Sequence, residues 1–228
     1  MPLGGKGDLV QPNDLLFAFD EPDTYHPRNV APKWVEIAAA YKKAADQLLG
    51  KLKPDSRIKT ADLYPLAFLY RHFIEMEIKS LLLLSYIGLK EGEAGLKISA
   101  VLHTHDPKRL AYEFANSPTL SDAIRSQIHY LGNDFMGTRQ SWEVLDNLLQ
   151  IVDEVSALDS GSYAFRYTVT KELSPATANL HGLSLSNLEA VAGRFEATCR
   201  WLRGILERHI DDTVNRDLSD SEMFDDSR

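Results

Sequence analysis

Apolar residues recur along most of this chain at intervals of three and four, the pattern of helices that bury one face. In residues 32–52, PKWVEIAAAYKKAADQLLGKL, one stripe holds Trp34, Ile37, Ala38, Tyr41, Ala45, Leu48 and Leu49, with Pro32 suited to a first turn and Gly50 near the end. After a polar connection, Thr60 or Asp62 can cap a long helix, DLYPLAFLYRHFIEMEIKSLLLLSYIGL, whose Pro65 is tolerated in the first turn. That segment is apolar almost all round, which predicts a central, buried helix. Asp106 and Pro107 open a shorter helix that stops at Ser117-Pro118, and 119–135 and 141–158 repeat the helical period. A Ser-x-x-Glu capping box, Ser186 to Glu189, starts a last helix of about eight turns.

Three segments break the period. Residues 1–31, interrupted by Pro12, Pro22 and Pro27, read as an extended arm whose apolar cluster, Leu15 to Phe19, packs on the body or on a second subunit. In DSGSYAFRYTVTKELSP, 159–175, β-branched and aromatic residues alternate between turn formers, which predicts a short β-hairpin. Residues 216–228 are acidic with little apolar content and are expected to be disordered. The expected fold is therefore all-α, an up-and-down helical bundle over 32–215 with a hairpin insertion, an arm and an acidic tail.

Composition narrows the function classes. Of 228 residues 44% are hydrophobic and 25% charged, enough to bury a core without a metal or disulfide. The single cysteine, Cys199, allows no intrachain disulfide and no cysteine-based zinc site, which fits a reducing cytoplasm. The N-terminus has no basic start followed by an apolar core, and no run of eighteen apolar residues occurs, so neither secretion nor a membrane span is expected. A net charge of −8 argues against duplex DNA as a partner and confines any RNA contact to a local patch such as Lys108, Arg109, Arg194, Arg200, Arg203 and Arg208. With no phosphate loop, dinucleotide glycine motif, nucleophile elbow or zinc-protease motif, no cofactor is expected.

The candidate chemistry lies on the buried helix. Charges there cost several kcal/mol each unless paired, yet Arg71, His72, Glu75 and Lys79 fall within two turns of one another, at helical spacings that place them in one sector. They form either a structural ion-pair network or a functional pocket. His103, His105 and Asp106 put two imidazoles and a carboxylate just before a helix, where Asp106 is either an N-cap or one of a set of metal ligands with His72 and Glu75. In the hairpin, Arg166 and Tyr167 place a guanidinium among aromatic rings, with Glu75 the expected partner.

The run Phe68 to Lys79, FLYRHFIEMEIK, followed by His105-Asp106, Leu158-Asp159 and Phe165-Arg166-Tyr167, resembles uncharacterised bacterial helical proteins of the HEPN-like superfamily. Their pattern looks like YRHxIExxLK, then HDLxxL, then FRYP; here Pro107 follows the Asp and Thr168 stands for the final Pro. The resemblance spans roughly residues 60–170. It implies an up-and-down bundle, a homodimer, and a setting in toxin–antitoxin or antiviral defence with RNA or a cognate protein as partner. Active members are metal-independent endoribonucleases with an Arg and a His four to six residues apart at the dimer cleft.

The formal match here is Arg203 and His209, His209 as base on a ribose 2′-hydroxyl and Arg203 facing the phosphorane. Two versions follow: that endoribonuclease, or a catalytically silent binding module whose Arg71, His72, Glu75, His105, Asp106 and Arg166 form a polar network. The second is favoured, because six residues along a helix set two side chains about 120° apart. The alternative from another class is an HD-type metal-dependent phosphohydrolase, which His72, His105-Asp106 and a later Asp146 or Asp153 are similar to in order.

Overall fold

The computed structural model describes residues 27–53, 60–87, 97–101, 103–130, 135–158 and 184–225. Pro27, and not Pro32, opens the first helix, α1 (Pro27–Leu52). Pro27 takes the first-turn place that suits a proline, Pro32 comes to lie inside the helix, and starting at Pro27 adds a turn in which Pro27 and Ala31 are buried. The arm therefore gives way to helix five residues before the expected boundary. Ala31, Ala38, Ala45 and Leu49 make the inner stripe of α1, and small side chains at such a contact let two helix axes approach closely.

That stripe faces α2 (Thr60–Ser85), the centre of the molecule, which packs against α1 and two further helices, α3 and α6, bounded below. Every residue from Phe73 to Tyr86 is buried, as a helix with apolar residues on all its sides predicts, and the charged Glu75, Glu77 and Lys79 are buried with the rest. Each fully buried Leu, Ile or Phe there contributes about 1.5–3 kcal/mol of transfer free energy. Phe73 meets Phe195 of α6 edge-on, ring centroids 5.7 Å apart.

α3 (Pro107–Ala115) starts as expected, with Asp106 accepting from the backbone N–H of Lys108 at 3.0 Å and of Arg109 at 3.2 Å. Asn116 is the C-cap of α3, and Ser117 caps the next helix, α4 (Pro118–Tyr130), its Oγ accepting from Leu120 N. Thr119 donates to the carbonyl of Ser85, tying the start of α4 to the end of α2. α5 (Phe135–Leu158) begins six residues ahead of the expected Ser141.

α6 (Leu185–Asp225) is the longest helix, roughly 60 Å at 1.5 Å per residue. Its cap is Ser184, which accepts from Asn187 N, and not Ser186. Both serines fit the capping preference, but Ser186 already has helical neighbours on both sides. The helix also runs past the expected limit at 215, so residues 216–225 of the acidic segment are helical. The predicted hairpin at 159–175, with Arg166 and Tyr167, lies outside the described residues, as does most of the arm; among the described residues there is no strand. No helix among them is long and apolar enough to cross a membrane.

Candidate functional site

Positions 71, 75 and 79 lie one helical turn apart, so their side chains stack along one stripe of α2. All three are nearly inaccessible, with Arg71 2%, Glu75 0% and Lys79 1% exposed. Their burial is offset by mutual pairing. Arg71 Nη1 donates to Glu75 Oε2 at 2.9 Å, and Lys79 Nζ lies 3.0 Å from Glu75 Oε1. The other arm of Arg71, Nη2, donates to the backbone carbonyl of His105 at 2.6 Å. Trp34 of α1 covers Lys79, its ring centroid 5.2 Å from the ammonium, a cation–π contact in a dry setting.

The same Glu75 Oε1 accepts from His105 Nδ1 at 2.9 Å. One buried carboxylate thus gathers two cations from its own helix and an imidazole from the segment entering α3. Burial pushes the Glu75 carboxyl upward, but Lys79, His105 and Arg71 together outweigh it and hold the group below its ordinary 4.5. Burial likewise draws Lys79 below its ordinary 10.5 against the pull of Glu75. An ionised carboxylate only accepts hydrogen bonds. The hydrogen of this contact therefore sits on Nδ1 of His105. Unlike its partners, the His105 side chain is 61% exposed.

The remaining predicted residues separate. His72, expected in the Glu75 sector, sits with α1: its Nδ1 donates to the Phe68 carbonyl, and its ring lies 4.0 Å from Phe68 and 5.2 Å from Tyr41, centroid to centroid. Asp106 is the α3 cap, its carboxylate turned to backbone N–H groups. His103 is exposed. Among the described residues no three His, Cys, Asp or Glu side chains converge as metal ligands, so His72, His105 and Asp106 do not assemble the HD-type site. The expected Arg166 partner lies outside the described residues; among the described ones Glu75 is met by Arg71, Lys79 and His105.

Arg203 and His209 have different surroundings. Arg203, 15% exposed, reaches from α6 into α2, where Nη2 donates to Glu77 and to Ser80 Oγ. Burial raises the Glu77 carboxyl above its ordinary 4.5 in spite of Arg203. Burial, and next Glu77, push the adjacent Cys199 thiol well above its ordinary 9.0. His209 is half-buried three residues after Leu206, with Nδ1 enclosed and without a hydrogen bond. Sequence reasoning missed Glu77 as the partner of Arg203. The available signal was its register: two residues from Glu75 and Lys79, Glu77 must point to the opposite side of a helix buried all round.

A groove of about 440 Å³ between α1 and α6 is lined by Ala39, Lys42, Lys43, Asp46, Gln47 and Glu196. Lys42 bridges Asp46 at 2.7 Å and Glu196 at 3.4 Å across it, so these three charges satisfy one another. No protein-family model, curated protein or solved structure matches the chain.

Proposed function

We propose that this chain is a HEPN-like helical module of a bacterial defence or toxin–antitoxin system that works by binding a cognate protein, and not by cutting RNA through Arg203 and His209. The family and its setting rest on the resemblance of 60–170, and the all-helical architecture supports them. The observation that carries the binding reading is the engagement of Arg203: its guanidinium is spent on Glu77 and Ser80 in the joint between α2 and α6. Turning it to a phosphate would leave Glu77 buried without its cation, a change that costs about 3–5 kcal/mol.

A protein partner is favoured over RNA by how the described cations are used. Lys42, Lys53, Lys108, Arg125, Arg200 and Arg203 all pair with acids, and three of the six residues of the expected basic patch are among them. Trp142, Trp201 and Tyr112 are meanwhile exposed, and such aromatics favour protein interfaces.

The test is cleavage and binding of single-stranded RNA by the purified chain in EDTA, beside His209→Ala. The expected result is no cleavage and no salt-dependent binding at physiological ionic strength. Metal-independent cleavage that His209→Ala abolishes without lowering the melting temperature would restore the endoribonuclease reading. RNA binding that weakens steeply with salt would make RNA the ligand.

A further inference from the structure

The outward face of α6 is built like a helix-pairing surface and is left open by the described elements. Along it Arg194, Ala197, Trp201, Gly204, Arg208 and Asp211 follow one another at steps of three and four residues, the repeat that lets two helices wind along one seam. All are exposed except Gly204, which is half-buried, while the opposite side of α6 enters the core through Phe195, Cys199, Leu202 and Leu206. From this face we propose that the chain pairs with a second copy of itself, α6 against α6 in antiparallel orientation, about a two-fold axis between residues 202 and 203. The seam and its charges carry this; neither the HEPN resemblance nor the protein-binding reading does.

The first argument is charge. Antiparallel pairing in this register sets Arg194 against Asp211 of the second copy, twice by symmetry. Both residues are exposed, and neither makes an ion pair among the described residues, whereas Arg200 and Arg203 of the same helix pair within the chain. A parallel pair would instead set Arg194 on Arg194, Arg208 on Arg208 and Asp211 on Asp211, and like charges facing each other oppose association. The charges thus select the antiparallel seam, and a two-fold axis closes it into a dimer.

The second argument is shape. The same register lays each Trp201 over Gly204 of the second copy, the largest side chain against none, and each Arg208 over Ala197. The bundle itself has no use for that glycine: a Cβ added at Gly204 would meet only Arg208 Nη1, at 3.7 Å, an ordinary contact. Glycine inside a helix is destabilising relative to alanine, so the space it leaves is explained by what comes to fill it. Trp201 is 36% exposed, and a large aromatic ring on a surface favours an interface. Charged residues in a seam fix its register and weaken it, so this dimer is expected to dissociate on dilution.

Sedimentation velocity of the full chain over a concentration series reads the association directly. The expected result is a monomer–dimer equilibrium that Trp201→Ala and Gly204→Leu each weaken about tenfold or more, with the helical circular dichroism unchanged. Arg194→Asp alone and Asp211→Arg alone should each weaken it by about tenfold, and the double variant carrying both should restore it, because the exchanged charges again face each other. Should Gly204→Leu fail to fold, the charge series, made at two exposed positions, decides the matter. A dimer indifferent to Trp201→Ala, or single charge variants that the double variant does not repair, would overturn the proposal. So would a chain that stays monomeric at every concentration, which would leave this face to a protein of different sequence.

Discussion

Glu75 is the side chain on which most depends. It is the shared acceptor of Arg71, Lys79 and His105, so removing it takes from two buried cations the carboxylate they share. Glu75→Ala is expected to cost about 3–5 kcal/mol in urea unfolding, while breaking an exposed ion pair such as Lys108–Asp153 should leave the unfolding midpoint nearly unchanged. Glu75 and Glu77 also respond oppositely to acid. Glu75, held below 4.5, contributes stability that is full above 4.5 and is lost as pH falls through its lowered value. Glu77, raised above 4.5, contributes stability that is full below 4.5 and is lost as pH rises through its raised value. Unfolding free energies measured between roughly pH 3 and pH 7 should show two limbs, with Glu75→Gln flattening the acid limb and Glu77→Gln the other. A single limb unaffected by either variant would contradict these assignments.

Among the elements, α3 is short and owes its start to one residue. Its nine residues lie below the length at which a helix holds by itself in water, and Asp106 satisfies two of its unpaired N–H groups. Asp106→Ala should cost about 1 kcal/mol and lower the melting temperature by about 2–4 °C. Thermal unfolding followed by circular dichroism would detect it. This cap was legible in the sequence because Asp-Pro before an apolar period is a local signal. So was the burial of α2, whose apolar composition leaves no polar face. The starts of α1 and α6 were harder to place, since Pro27 competes with Pro32 and Ser184 with Ser186, and only packing chooses between them. The candidate site was legible in its membership but not in its wiring. His105 and Glu75 were both singled out, but a carboxylate accepting from an imidazole and a shared metal use the same residue types, and only distance separates them. Arg203 and Glu77 lie 126 residues apart, a separation at which no spacing rule operates.

On the scale of the molecule, α2 makes a single core shared by α1, α3 and α6, so access to its centre requires the helices to part. Cys199 reports that event. It is fully buried, with a thiol raised by its surroundings, and the thiolate is the reactive form. Labelling by a thiol reagent should be negligible under native conditions and should track the unfolded fraction across a urea titration. Fast labelling in native buffer would mean that α6 separates from the core before the rest unfolds.

His105 is grasped twice, by its ring through Glu75 and by its backbone carbonyl through Arg71. The two holds are chemically independent, since a carbonyl is common to every residue. The path of the chain into α3 is thus set by an anchor indifferent to what stands at position 105, while the bond to Glu75 depends on the ring. Position 105 is in effect an interchangeable socket, and a Gln, Asn or Cys placed there would be delivered to the same point on the surface.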